Sequence, residues 1–128
     1  MKPATDEWVN KAEGDWEMAL KAYRARKHPV YDAACYHSQQ CAEKYLKARL
    51  VEAGIAVTKT HELLALLNLL LPIEPHWLAL HPQLNALNQF AVLYRYPSYD
   101  ATKADARQAI ADCREVRRTI RSSWGLMT

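Results

Sequence analysis

The chain has 128 residues, a mass of 14.7 kDa, a formal net charge of +3, 50% hydrophobic residues and 24% charged residues. This is the balance of an ordinary globular protein and excludes disordered, collagenous and low-complexity classes. At this length folding leaves ~7,000 Å² of a ~21,000 Å² unfolded surface exposed, so a core forms without metals or disulfides.

Few Gly beside many Ala and Leu argue against an all-β fold, and the periodicity is helical throughout. A first helix is predicted from about Thr5 to Arg26, capped by Thr5 or Asp6. It carries an apolar face of Trp8, Ala12, Trp16, Ala19, Leu20 and Tyr23. His28-Pro29 ends it. A second runs from about Val30 to Ala53, with Gly54 just past its end and a seam of Tyr31, Ala34, Cys35, Ser38, Ala42, Tyr45 and Leu46. Thr60 is placed to cap a third, His61 to Leu71. A short turn around His76 to Leu80 follows, then a fourth helix from about Pro82 to Leu93, a Tyr94–Asp100 loop and a fifth helix from about Ala101 to Ser123. Long helices with short connections pack antiparallel, so the expected fold is all-α, an up-and-down bundle of four to five helices in one domain over 1–128.

The longest apolar stretch, Leu63 to Leu71 interrupted by Asn68, is about half a membrane span. The polar segment Met1 to Glu7 lacks the apolar run of a signal peptide. Cys35, Cys41 and Cys113 are an odd set with no close pair, which reads as reduced thiols. The expectation is a cytoplasmic protein with no membrane association.

Three features carry polar chemistry. On the fifth helix, Ala106, Ile110, Cys113, Val116, Ile120 and Trp124 form an apolar stripe. Lys103, Arg107, Arg114, Arg118 and Arg121 lie on one flank, Asp105, Asp112 and Glu115 on the other, with Arg117 at the stripe's edge. This is either a solvated face with ion pairs or a ridge for phosphate, which Arg grips bidentately. On the second helix, Tyr36, Gln40, Glu43 and Lys47 line one polar face, read as exposed or as facing a groove or dimer partner. In the Tyr94–Asp100 loop, Arg95 suits a phosphate, while Tyr96 and Tyr99 either stack on a base or close the end of the core. His61, in the first turn of the third helix, reads as a local hydrogen-bonding group; His76 and His81 have no metal-ligand spacing, and there is no glycine-rich phosphate loop or nucleophile elbow. Neither a metal nor a cofactor is expected.

Several short patterns occur in a recognisable order: Trp8 with Ala12, Asp15 and Ala19; Ser38-Gln39-Gln40-Cys41-Ala42-Glu43-Lys44-Tyr45-Leu46-Lys47-Ala48; Thr60-His61-Glu62-Leu63; Arg95-Tyr96-Pro97; and Ala104-Asp105-Ala106 with Ala109 and Ile110. Together they resemble the HEPN domain family over about Trp8 to Arg121, in a subgroup with Arg-Tyr-Pro in its loop. The resemblance implies a helical bundle, a homodimer with a cleft between subunits, and a partnership with a minimal nucleotidyltransferase in a toxin–antitoxin-like pair. Some members are metal-independent ribonucleases, with an Arg that holds phosphate and, a few residues on, a His for acid–base work. Here Arg95 matches that Arg, but Asp100, Ala101 and Thr102 stand where the His is expected. The leading expectation is a module binding nucleotide or RNA phosphate through Arg95, Tyr96, Tyr99, Arg114 and Arg118, with Glu43, Lys44 and Lys47 lining the cleft. The alternative is a ribonuclease using Arg95 with Asp100 or His61 as an unusual base.

Overall fold

The computed structural model describes residues 1–128, and its regular structure is entirely helical. Helix α1 spans Pro3–Arg24. It starts before the expected Thr5 because Pro3 has no N–H to leave unpaired and its fixed φ suits the first helical position. Thr5 is therefore not a cap. It lies buried inside the helix, its hydroxyl donating to Glu52 Oε1 at 2.9 Å. His28, at φ 55°, turns the chain into α2 (Tyr31–Glu52). Gly54 ends α2 as expected. Its φ of 72° lets Ile55 N–H reach the Leu50 carbonyl at 2.9 Å and its own N–H reach Val51 at 3.0 Å.

Helix α3 is Leu63–Leu70, later than the expected His61 start. Thr60 Oγ1 accepts locally from Glu62 N–H, and Asn88 Oδ1 accepts from Leu63 N–H at 2.9 Å, so the cap comes from a distant side chain. A 3-10 turn (Pro75–Leu80) leads into α4 (His81–Asn88) and α5 (Phe90–Leu93); the expected Pro82–Leu93 helix is thus interrupted at Gln89. Helix α6 is Lys103–Ser123, starting after Ala101 because Thr102 forms a capping box with Asp105. Gly125, at φ 71°, closes it with the same pair of bonds that ends α2.

The chain folds up and down. Tyr23 meets Tyr31 at one end of the α1–α2 pair and Thr5 meets Glu52 at the other, so the two run antiparallel. Asp32 accepts from Ala101 N–H at one end of α2, and Tyr45 meets Arg121 further down, so α6 runs parallel to α2. The α4–α5 limb rises between them in sequence, with α3 tucked beside α2. The expected all-α up-and-down bundle is observed.

Helix α2 is the central element, packed by α1, α3, α4, α5 and α6. Twelve of its 22 residues are buried. Ala34, Ala42 and Ala48 let its neighbours approach closely, while Leu46, Leu50, Leu63, Leu66, Leu67, Leu70, Leu84 and Leu87 fill the core. The α6 stripe is buried as expected from Ala106 to Ile120, with Trp124 partly covered. No helix is long and apolar enough to cross a membrane.

Leu67 is fully buried, so Leu67→Ala should cost about 2–5 kcal/mol in urea unfolding, against about 1 kcal/mol for Thr102→Ala at the α6 cap. Equal losses for the two would contradict this division between core and cap.

Candidate functional site

The Tyr94–Asp100 loop is built on short turns: Arg95 N–H donates to Val92 O at 3.1 Å and Tyr96 N–H to Leu93 O at 3.0 Å. Arg95, Tyr96 and Asp100 are exposed, Tyr96 by 56%. The Arg95 and Asp100 side chains form no ion pair within the chain. Tyr99 turns inward instead. Its ring is half-buried against the core, 6.4 Å from Phe90, and burial raises its hydroxyl pKa. It closes the end of the core and is not presented for base stacking. The aromatic that backs the loop is Tyr94, stacked on Tyr36 of α2 with centroids 4.3 Å apart and planes at 23°. Tyr36 in turn meets the ring of His37 edge-on at 5.3 Å.

His37 Nδ1 lies 2.7 Å from Oδ1 of Asp15, a buried residue of α1. Lys44 donates to the other carboxylate oxygen. Burial works to raise the Asp15 pKa, but hydrogen bonds from His37 and Lys44, and their charge, hold it below the usual carboxylate range. An ionised carboxylate only accepts, so Nδ1 carries the proton in this contact.

The expected Glu43–Lys47 strip is not a surface. Glu43 and Lys47 are only 3% and 5% exposed. Glu43 accepts from Lys47 at 3.1 Å, Gln39 at 3.2 Å and His61 Nδ1 at 3.0 Å, and the Lys47 ammonium sits 5.8 Å from the Trp8 ring centroid. The helix wheel placed these residues opposite the apolar seam correctly; the central position of α2 then buries both sides. His61 is exposed, yet its imidazole anchors the α3 approach to Glu43, and Lys44 serves Asp15.

The α6 arginines are likewise engaged. Arg117 forks onto Glu13 at 2.8 and 2.7 Å, Tyr45 donates to the same carboxylate at 2.6 Å, and Arg121 donates to Tyr45 Oη at 3.1 Å. Burial opposes ionisation of Glu13, but these donors and charges hold its pKa low. Arg114 lies over the Trp16 ring at 5.5 Å and Arg118 pairs with Glu115 at 3.7 Å. Arg114 thus stands on the α1–α6 seam, while Glu43 and His61 lie between α2 and the start of α3. The three thiols are free and buried, and burial pushes Cys35 up to about 12, so it carries no reactive thiolate.

The HEPN domain model matches residues 5–123. The chain belongs to the HEPN family. A Methanocaldococcus jannaschii protein described as a candidate toxin is 29% identical over 131 residues, covering 89% of this chain and 84% of the relative. The crystal structure of an archaeal HEPN homologue superposes with a TM-score of 0.73 at 26% identity, over 96% of this chain and 98% of that chain.

The HEPN fold brings together groups that sequence spacing did not pair. Asp15 and His37 are on different helices, and Tyr36 and Tyr94 on different limbs of the bundle. One signal was present: Asp15 shares the apolar face of Ala12 and Ala19, and an acid there requires a partner. Nothing local named that partner.

Glu43→Ala should cost about 3–5 kcal/mol, because it strands the buried Lys47 charge; a loss below about 1 kcal/mol in denaturant unfolding would show the pair to be solvated. Two acids should titrate with opposite sign. Asp15 has a lowered pKa, so its stabilisation is present above the ordinary carboxylate range and is lost as pH falls through its native value. Asp112 is buried with Gln108 donating at 3.0 Å and no cation facing it, and burial raises its pKa. Its stabilising term is present at low pH and is lost as pH rises through the raised value. Thermal melts should therefore show Asp15→Asn destabilising at neutral pH with the deficit shrinking in acid, and Asp112→Asn stabilising at neutral pH with the gain vanishing in acid. The same sign for both variants would overturn these assignments.

Proposed function

We propose that this HEPN protein binds nucleotide or RNA phosphate at the Arg95 turn, as a homodimer partnering a minimal nucleotidyltransferase in a toxin–antitoxin-like pair. The observation that carries the binding reading is Arg95 itself. The less exposed arginines Arg49, Arg117 and Arg121 are committed to Glu74 or Glu13, whereas Arg95 is exposed, forms no ion pair and is followed in the turn by the exposed Tyr96. A guanidinium with an adjacent aromatic suits a phosphate joined to a base. Glu43, Lys47 and Tyr99 drop out of the contact set because they are buried or turned inward. The M. jannaschii relative described as a candidate toxin supports the toxin–antitoxin part of the reading.

A second reading, a metal-independent ribonuclease, draws on the same Arg95 and the same relative. Of the two bases considered for it, His61 is tied to Glu43 and Asp100 would present a carboxylate to an anionic backbone.

Calorimetry with AMP and with a single-stranded oligoribonucleotide tests the binding reading. Arg95→Ala should weaken affinity about 10-fold or more, the worth of one charge-assisted contact. It should also reduce the salt dependence of RNA binding by about one phosphate's worth. Unchanged affinity and salt slope would overturn this site. Co-purification of a co-expressed minimal nucleotidyltransferase checks the partnership.

A further inference from the structure

A cavity of about 90 Å³ opens between the α4–α5 limb and α6. Asp112, only 8% exposed, lines it together with Asp105, Gln89, Gln108 and Phe90. Asp112 Oδ1 accepts from Gln108 at 3.0 Å, and its second oxygen has no hydrogen bond. Asp15 and Glu43, the other acids buried in the bundle, each hold a lysine. Neither Asp112 nor Asp105 is in any ion pair. Burying a carboxylate against one neutral amide is costly, and burial accordingly raises the Asp112 pKa. The acid thus lacks a counter-ion, and the cavity is the space where one would stand.

The rest of the wall selects the kind of cation. Gln108 gives an amide N–H to Asp112, and Gln89 gives one to the Ala86 carbonyl at 3.1 Å. Asp105 Oδ2 accepts from Thr102 N–H at 3.0 Å, and its Oδ1 has no hydrogen bond. The wall therefore offers acceptor oxygens and negative charge, which suits a cation rich in donors. No three ligand-type side chains gather there as a metal ion would need. A site that encloses a whole small molecule takes ~300–1,000 Å³, so this cavity admits one head group. The remainder of its ligand lies on the exposed rim of Gln89, Asp105 and Gln108. With Phe90 in the wall, a guanidinium fits better than an ammonium, because it is planar, weakly hydrated, forks onto a carboxylate and stacks on an aromatic. From the cavity, its unpaired buried carboxylate and its acceptor-rich wall, we infer that this is a docking site for an arginine side chain of a partner polypeptide. The guanidinium enters between α5 and α6 to pair with Asp112, and the partner's backbone lies over the rim. The inference is independent of the Arg95 site, whose ligand carries the opposite charge.

The test is an NMR titration of the full-length, nitrogen-15-labelled protein at neutral pH with the peptide acetyl-Gly-Arg-Gly-amide. The same peptide with citrulline, which keeps the shape and loses the charge, is the control. The arginine peptide should shift the backbone amides of Phe90, Gln108 and Asp112 and saturate on the order of millimolar, with the citrulline peptide about 10-fold weaker or more. Asp112→Asn should weaken the arginine peptide by a similar factor although the variant is expected to be the more stable protein, a separation that a purely structural role would not give. Gln89→Lys, which brings an ammonium to the same wall, should weaken it by competition, and Arg95→Ala should leave the titration unchanged. Equal affinity for the arginine and citrulline peptides, or an unchanged titration in Asp112→Asn, would overturn the inference. Guanidinium chloride or spermidine binding as tightly as the peptide would assign the cavity to a free organic cation and overturn the polypeptide partner. Sedimentation equilibrium should give Asp112→Asn the wild-type oligomeric state; a smaller species would make the occupant a second copy of this chain and likewise overturn it.

Discussion

The structure depends on one constraint: α2 runs through the middle of the bundle, yet carries Gln39, Glu43, Lys47, Tyr45 and Ser38 into the interior. Each buried polar group must find a partner inside the molecule or incur a desolvation cost comparable to a lost hydrogen bond. The surrounding helices supply those partners. Ser38 donates to its own helix at Ala34, Glu43 gathers Gln39, Lys47 and His61, and Tyr45 reaches Glu13 of α1. No buried side-chain oxygen or nitrogen is left without a partner. The arrangement of α1, α3 and α6 around α2 follows from these obligations as much as from the leucines packed between them.

That accounting also explains where the free polar chemistry lies. From the sequence the flank of Arg107, Arg114, Arg118 and Arg121 on α6 read as a solvated face or a phosphate ridge, but Arg121 and the neighbouring Arg117 are drawn onto Glu13, Arg118 onto Glu115 and Arg114 onto Trp16. Arg95, exposed on the turn after α5, is in none of the ion pairs. A site for an anionic ligand needs a cation whose charge is not already neutralised, and on this turn Arg95 is one.

The sequence made the elements legible wherever the signal was local. Glycine after α2, the His28-Pro29 stop, and the three- and four-residue spacing of Ala106, Ile110, Cys113, Val116 and Ile120 all act within one or two turns, and the structure follows them. The misplaced starts have a common cause. Thr5 and Thr60 were assigned by local capping preference and Ala101 by the end of the preceding loop, whereas Pro3, Asn88 and the Thr102–Asp105 box settled those ends. Burial of Glu43 and Lys47 on α2 was misjudged because a helix wheel assumes one wet side, and the neighbours of a central helix cover most of it. Pairings such as Asp15 with His37 depend on how two helices align, which no window on either helix contains.

That alignment is itself overdetermined, and in a particular way. Desolvation cancels most of the Coulombic attraction of the bidentate Arg117–Glu13 pair, so its net stabilisation is modest. Its geometric effect is larger. Sliding α1 by one turn against α6 would move Glu13 by about 5.4 Å and strand Glu13, Tyr45 and both arginines at once. Such a network penalises every wrong register more than it rewards the right one. Asp15 lies two residues beyond Glu13 on the same helix, turned to the other side toward α2. The clamp that fixes Glu13 against α6 therefore also fixes Asp15 opposite His37. The buried charges on one seam of the bundle set the orientation of the half-exposed imidazole on the other.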